Sequence, residues 1–344
     1  MSPDPNAFGR ALLEWYDSGR RDLPWRSHDG GLANIFYRVW VSEIMLQQTR
    51  VEAVIPYYSR FLARFPSIES LAAADEHDVL AAWSGLGYYS RARNLQHAAR
   101  QIVAEGLPEQ FEKIRALRGI GDYTAAALAS IVFELPHAAV DGNVLRVIAR
   151  VTNDNAEITA GATRRRIGEM AGSLLHPRRP GDFNQAMMEL GATVCTPRAP
   201  DCGRCPVQTF CAARAAGTQL ELPVKLKGKA TRDVKQDVVI VEREGCILLV
   251  RRASDARRLA DFWELPAKSA LGRQRTRRIG EVRHQIVNDR FRISVWRSMG
   301  AAAIGCDAAS WIKTSRLASL PLTTVSRKAL ALAGIPVAKA QAAD

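Results

Sequence analysis

The chain has 344 residues, 47% of them hydrophobic, enough for two domains of ordinary size with a core each. Lysine and arginine (48) outnumber aspartate and glutamate (35), and the formal net charge of +13 points to a polyanionic partner, either nucleic acid or an acidic membrane surface. No stretch is long and apolar enough to cross a bilayer, and the opening MSPDPNAFGR lacks the apolar core of a secretory signal, which excludes an integral membrane protein of the helical type. An intracellular, cytoplasmic setting is expected (nucleoid-associated in a bacterium). There thiols stay reduced, so the six cysteines suggest metal ligation or burial before disulfides.

From residue 7 to about 215 the chain reads as helix after helix. Val41, Ile44 and Met45 keep helical spacing, as do Val144, Val147, Ile148 and Val151. Asp75 is placed to cap a run ending at Trp83, and Asp182 with Gln185 three residues on has the form of a capping box. Gly85, Pro108, Gly119 and Pro136 punctuate the series. The texture changes after Cys211. A polar, basic linker follows, and then the β-branched runs Asp237–Val241 and Cys246–Val250, separated by Arg243-Glu-Gly, read as a hairpin. Phe291–Trp296 alternates like another strand, and Thr324–Ala333 reads as a closing helix. The expected architecture is an all-helical domain over 1–217, a linker over 218–232 and a small α+β domain over 233–344. No internal repeat or low-complexity tract is visible.

Four of the cysteines, Cys195, Cys202, Cys205 and Cys211, stand in the pattern C-x6-C-x2-C-x5-C. Four thiolates in so short a loop suit one tetranuclear iron–sulfur cluster. Zinc is the alternative, although its ribbons usually carry two C-x-x-C knuckles and this loop has one. Cys246 and Cys306 fall outside the pattern and are expected in the core. This spacing at the close of a helical domain resembles the endonuclease III and MutY superfamily of DNA glycosylases, which implies a [4Fe-4S] cluster and a DNA-facing loop containing Arg198 and Arg204.

Leu117-Arg-Gly-Ile-Gly-Asp-Tyr-Thr-Ala-Ala matches a helix–hairpin–helix, with Gly119 and Gly121 at its turn. Glycines there let the backbone approach a phosphate, while the next helix offers unpaired N–H groups. Cleaving an N-glycosidic bond calls for a carboxylic acid to protonate the leaving group and a carboxylate to stabilise an oxocarbenium-like sugar. Glu43, in an apolar helix, and Asp141, just before Val144–Val151, fit those roles. Asp141 fits equally well as an N-cap, and Glu43 as a half-exposed helix residue.

The segments Trp40–Thr49, Trp83–Ser90, Leu117–Ala126, Val140–Arg150 and Phe183–Cys195 closely resemble the MutY adenine glycosylases. The resemblance implies that Glu43 protonates adenine at N7 and that Asp141 stabilises the cation, with Asn143 and Tyr123 in support. Tyr123 stands where endonuclease III–type enzymes carry a Schiff-base lysine, which implies a monofunctional glycosylase without strong β-lyase activity. By the same resemblance Gln48 and Tyr88 wedge into the duplex beside the flipped base, and Arg26 and Glu189 line the adenine pocket.

Leu259-Ala-Asp-Phe-Trp-Glu-Leu-Pro is similar to the C-terminal domain of this family, which has a Nudix fold and checks for 8-oxoguanine opposite adenine. The Mg²⁺-binding acidic helix of Nudix hydrolases is missing, so no pyrophosphatase activity is expected. Where the family carries Phe-Ser-His, this chain has Ile286, Val287 and Asn288, and preference for 8-oxoguanine rests on Ile286 as a wedge and Asn288 as a hydrogen-bond donor. Two arginine clusters, Arg251, Arg252, Arg257, Arg258 and Arg273, Arg275, Arg277, Arg278, are expected to add salt-sensitive phosphate contacts. The expected partner is duplex DNA with A·8-oxoguanine or A·G mispairs, bound by a monomer and not by way of a membrane. The rivals are a related glycosylase with another target, such as thymine in G·T, and a non-catalytic iron–sulfur DNA-binding protein.

Overall fold

The computed structural model describes residues 3–27, 29–226, 231–256, 259–272, 274–286, 288–299 and 308–337. Two compact units divide it, one built from Met1–Ala74 and Arg93–Lys227, the other from Asp75–Ala92 and Gly228–Asp344. The segment containing Tyr88 thus groups with the second unit, although it was expected within the helical domain.

In chain order the helices up to residue 216 are α1 (Pro5–Gly19), α2 (Leu32–Leu46), α3 (Val51–Arg64), α4 (Ile68–Ala73), α5 (Glu76–Trp83), α6 (Ser90–Glu105) and α7 (Phe111–Ala116). They continue with α8 (Asp122–Phe133), α9 (Gly142–Val151), α10 (Gly161–Leu174), α11 (Pro180–Thr193) and α12 (Ala212–Ala216). The periodic residues of α9 do what their spacing requires: Val144, Val147, Ile148 and Val151 are all buried, in a core shared with Phe8 and Leu12 of α1 and Phe183 and Met187 of α11. Each such side chain contributes roughly 1.5–3 kcal/mol by burial. At Gly191 a β-carbon would stand 2.5 Å from Asn143 Cβ, so only glycine lets α11 lie this close to the start of α9.

Two expectations about caps change. Asp75 is the N-cap residue of α5 but makes no side-chain capping bond. Asp182 is not a cap at all: α11 begins at Pro180, and Asp182 in its first turn accepts from Arg179 Nε at 2.8 Å. The proline fixes the helix start three residues earlier than the capping pattern suggests. The stretch after α12 is also less linker-like than its composition, since Leu222 is buried and the Val224 carbonyl accepts from Ile158 N at 2.9 Å.

The second unit carries β1 (Arg232–Ile240), β2 (Glu242–Arg243), β3 (Cys246–Arg251), β4 (Trp263–Glu264), β5 (Thr276–Ile286), β6 (Asp289–Ser298), β7 (Ala309–Lys313) and α13 (Thr324–Leu332). One sheet has the order β1-β6-β5; in the other, β3 pairs with β2, β4 and β7. The expected hairpin is only partly formed. Glu242–Arg243 folds back on β3 through Glu244 and Gly245, both with positive φ, whereas β1 leaves to pair in parallel with β6. Ile240, Ile247, Ile293 and Val295 meet Leu317, Leu322 and Leu330 in the core of this unit. Its α+β character is as expected. Cys246 is half-buried on β3, and Cys306 lies outside the described residues.

Candidate active site

A cleft of about 800 Å³ in the first unit gathers seven of the singled-out residues: Glu43, Tyr123, Asp141, Asn143, Arg26, Glu189 and Gln48 all line it. Glu43 projects from α2, which is apolar on nearly every side, and is 6% exposed. Burial first, and the Asp141 charge beside it, push its carboxyl up to about 7, against the lowering effect of a hydrogen bond from Tyr123. That bond, Tyr123 Oη to Glu43 Oε2, is 2.8 Å, and the same hydroxyl lies 3.1 Å from Met188 Sδ. Burial also raises Tyr123 well above the ordinary phenol range.

Asp141 fills the capping role open to it. As N-cap of α9 it accepts from Asn143 N at 2.9 Å and Val144 N at 2.8 Å through Oδ1, while Oδ2 accepts from Asn143 Nδ2 at 2.7 Å. Burial lifts its carboxyl above the ordinary value, and these bonds hold the rise back. The cap fixes the carboxylate against the helix N-terminus and still leaves it lining the cleft.

At the other side Glu189, 2% exposed on α11, is clamped by two arginines. Arg21 donates through Nε at 2.6 Å and Nη2 at 3.0 Å, and Arg26 through Nη2 at 2.8 Å. Burial alone would raise this carboxyl, but the bonds and charges of Arg21 and Arg26 bring it below its usual value. Arg21 and Met188 were not singled out in the sequence. Arg21 sits five residues before Arg26, a spacing that carries no helical signal here, and Met188 reads as one more core methionine. Gln48, at the mouth, has φ +59°, a left-handed backbone that disfavours a side chain.

The hairpin runs from α7 through 117–121 into α8. Gly119 has φ +83°, and a β-carbon there would meet Asn94 Cβ at 2.6 Å, so the turn needs glycine. Gly121 does not share that reason. Its φ is −101° and a β-carbon would meet nothing; it is the N-cap of α8 without a side-chain capping bond, which leaves first-turn N–H groups free to meet an anion. Asp122 pairs with Arg115 across the turn.

The remaining residues belong to the second unit. Tyr88 is 46% exposed with φ +48°, and the next residue, Tyr89, packs on Phe262 at 4.1 Å between ring centroids. Ile286 ends β5, half-buried, and the exposed Asn288 accepts from Arg232 N at 2.8 Å through its carbonyl; Val287 lies outside the described residues. In the two expected arginine clusters Arg251, Arg252 and Arg278 already have carboxylate partners in Asp261, Glu264 and Glu281, while Arg257, Arg258 and Arg273 lie outside the described residues.

Cys195, Cys202, Cys205 and Cys211 stand around one small cavity. Among the described residues no three metal-binding side chains converge on a single-ion centre. Burial, and then the three neighbouring thiols, push Cys205 up to about 11, a repulsion that bound iron relieves. The donor set fits a cluster held by four thiolates. Two arginines of α9 anchor this loop. The buried Arg150 donates to Cys195 Sγ at 3.2 Å and to the Thr196 carbonyl at 2.8 Å. Arg146 donates at 2.8 Å to the Cys195 carbonyl and to Asn143 Oδ1, so hydrogen bonds run from the cysteine loop to the residue that holds Asp141.

Residues 41–171 match the model of the HhH-GPD superfamily base excision DNA repair proteins, and 195–211 match the iron–sulfur binding domain of endonuclease III. Four cysteines in that domain therefore form the iron–sulfur site. Among solved structures a thermostable thymine-DNA glycosylase is 26% identical with a TM-score of 0.55, covering 62% of this chain and 97% of that one. A non-covalent endonuclease III–DNA complex, 17% identical with a TM-score of 0.51 over 63% of this chain and 99% of that one, shares the fold. The adenine DNA glycosylase of Rattus norvegicus is 49% identical over 217 residues, 61% of this chain and 42% of that protein. The match spans less than half the length of that relative, and of its counterpart in Homo sapiens, which is 45% identical over 67% of this chain and 43% of that protein. The counterpart in Mycolicibacterium smegmatis is 43% identical over 210 residues, 60% of this chain and 69% of that protein. On this match, with the site and the iron–sulfur domain in place, the chain belongs to the adenine DNA glycosylase family.

Proposed function

We propose that the protein hydrolyses the N-glycosidic bond of adenine mispaired with 8-oxoguanine or guanine in duplex DNA. The observation that carries this reading is the buried Glu43 carboxyl, held near 7 and facing Asp141 across the cleft. A carboxyl with that value is protonated often enough at neutral pH to act as an acid. A purine leaving group makes use of such an acid at N7, which a pyrimidine lacks.

In this mechanism the flipped adenine enters the cleft and Glu43 gives its proton to N7, weakening the C1′–N9 bond. Tyr123 donates to Glu43 Oε2, which leaves Oε1 to carry the proton that goes to N7, and the same hydrogen bond stabilises the carboxylate after transfer. Asp141, fixed by Asn143 and the α9 terminus, stabilises the sugar cation as the base departs, and water completes the hydrolysis. Tyr123 supplies no amine, so no Schiff base forms at this position. Glu189, kept ionised by Arg21 and Arg26, is an acceptor for the exocyclic amine of adenine. Gln48 fills the space the base leaves, and the exposed ring of Tyr88 offers a face on which a base stacks. Cys195, Cys202, Cys205 and Cys211 would hold the cluster, which supplies iron–sulfur bonds that cross-link the 195–211 loop. In the second unit the half-buried Ile286 at the end of β5 and the exposed Asn288 before β6 are the residues that meet the opposite base.

Single-turnover base release from duplexes containing A·8-oxoguanine, A·G, A·C, A·T and G·T tests this. Adenine loss is expected to be fastest opposite 8-oxoguanine. Release of thymine alone, or of no base, would overturn the reading, and equal rates opposite guanine and 8-oxoguanine would remove the hairpin's part in it.

A further inference from the structure

At its Arg290–Arg292 end the three-stranded sheet of the second unit has one face in the core and the other in solvent; farther along, Val239 and Trp296 of that second face pack with Leu271. Phe291, Ile293 and Val295 of β6 point to the core. Alternation places Arg290 and Arg292 on the other face. The register sets Arg283 of β5 and Lys235 of β1 directly beside Arg292, one on each side, and Gln285 and Asp233 beside Arg290. Lys235, Arg283, Arg290 and Arg292 are all exposed. Three cations in one row across three adjacent strands oppose sheet pairing, so folding offers no reason for them. Glu281 takes Arg278 at 3.5 Å and Arg283 at 3.4 Å; among the described residues no carboxylate is within ion-pair range of Lys235, Arg290 or Arg292. A cavity of about 380 Å³ lies at this end of the sheet, lined by Asp233, Arg283, Gln285, Arg290 and Arg292 of this face and by His284 and Phe291 of the other, with Lys328 also contributing.

We propose that this cationic sheet face, next to the β5–β6 hairpin, binds the phosphodiester backbone of duplex DNA. The row extends about 10 Å across strands spaced 4.7–4.9 Å apart. An extended polyanion engages such a row; a single small anion reaches one part of it. The chemistry favours DNA over an anionic membrane, because the exposed large hydrophobics of this unit (Tyr88, Met299, Trp311 and Leu332) lie outside the row and give it no apolar anchor. The proposal rests on the reading of the protein as a DNA glycosylase and extends it to a contact surface outside the cleft.

The test is the full-length protein with Lys235→Gln, Arg290→Gln and Arg292→Gln combined. Its binding to duplex DNA is followed by anisotropy over a range of salt, alongside single-turnover base release at saturating enzyme. Each lost phosphate contact lowers the slope of log affinity against log salt by about 0.9. The triple variant is expected to lose between about 2 and 3 from that slope, with base release unchanged and a melting temperature equal to or above the parent's. An unchanged slope with a raised melting temperature overturns the proposal and leaves an ordinary solvated sheet. Lost binding to phosphatidylserine vesicles with an unchanged DNA slope also overturns it, in favour of a membrane. A parent that binds no DNA overturns the glycosylase reading itself, a result separate from either of these.

Discussion

To serve as the proposed acid Glu43 must stay protonated, and its burial makes ionisation unfavourable. In an unfolded chain the carboxyl ionises at its ordinary value of 4.5; in the folded protein it does so near 7. The folded value is the higher one, so stability falls as pH rises between those two values and stays lower above them. The difference amounts to about 3 kcal/mol. Glu43→Gln carries no such burden. Thermal melts are expected to show the variant matching the parent near pH 4.5 and exceeding it progressively up to pH 7 and beyond. An offset that does not change with pH would mean that Glu43 is not the titrating group. Gln48 and Tyr88 show a related compromise, since both hold a left-handed φ that glycine would adopt without strain.

Among the elements α9 does the most for the site, and its contribution shows how far periodicity can be read. Val144, Val147, Ile148 and Val151 fix its buried face, and Asp141 was legible as its cap and as a catalytic candidate at once. The use of Arg146 and Arg150 was not legible. Buried arginines carry no periodic signature, and their partners outside α9 lie some 45 residues or more away in sequence. Strand pairing was hidden for a similar reason. The β-branched run Asp237–Val241 shows a strand, but its partner β6 is chosen by the packing of the whole unit. Met188 and Arg21 were missed because one resembles core and the other a surface cation. Arg146 connects the cysteine loop to Asn143, so Arg146→Gln is expected to lower single-turnover excision at least about 10-fold, the loss of one charge-assisted bond in the buried chain, about 1.5–3 kcal/mol. The iron content, read from visible absorbance, should stay near the parent's because Arg150 still holds Cys195. Loss of iron in step with activity would mean that Arg146 serves only to keep the loop folded.

At the scale of the whole molecule the surplus of 13 positive charges was legible from composition alone, whereas its distribution was not. The boundary between units was also read only in part. The change of texture after Cys211 marked a second unit, but nothing local in Asp75–Ala92 signals that this segment groups with residues from Gly228 onward. A net charge of this size acts on encounter more than on chemistry. It raises the local concentration of a polyanion and releases counterions on contact, and both effects weaken as salt shortens the Debye length. The reacting groups, by contrast, are buried in the cleft, where salt screens them far less. Raising salt from roughly 50 to 200 mM is therefore expected to lower kcat/KM for a mispaired duplex by at least about 10-fold. Single-turnover release at saturating enzyme should change little over the same range. If both fell together, salt would be acting on the cleft itself, and the positive surface would lose its part in bringing DNA to the enzyme.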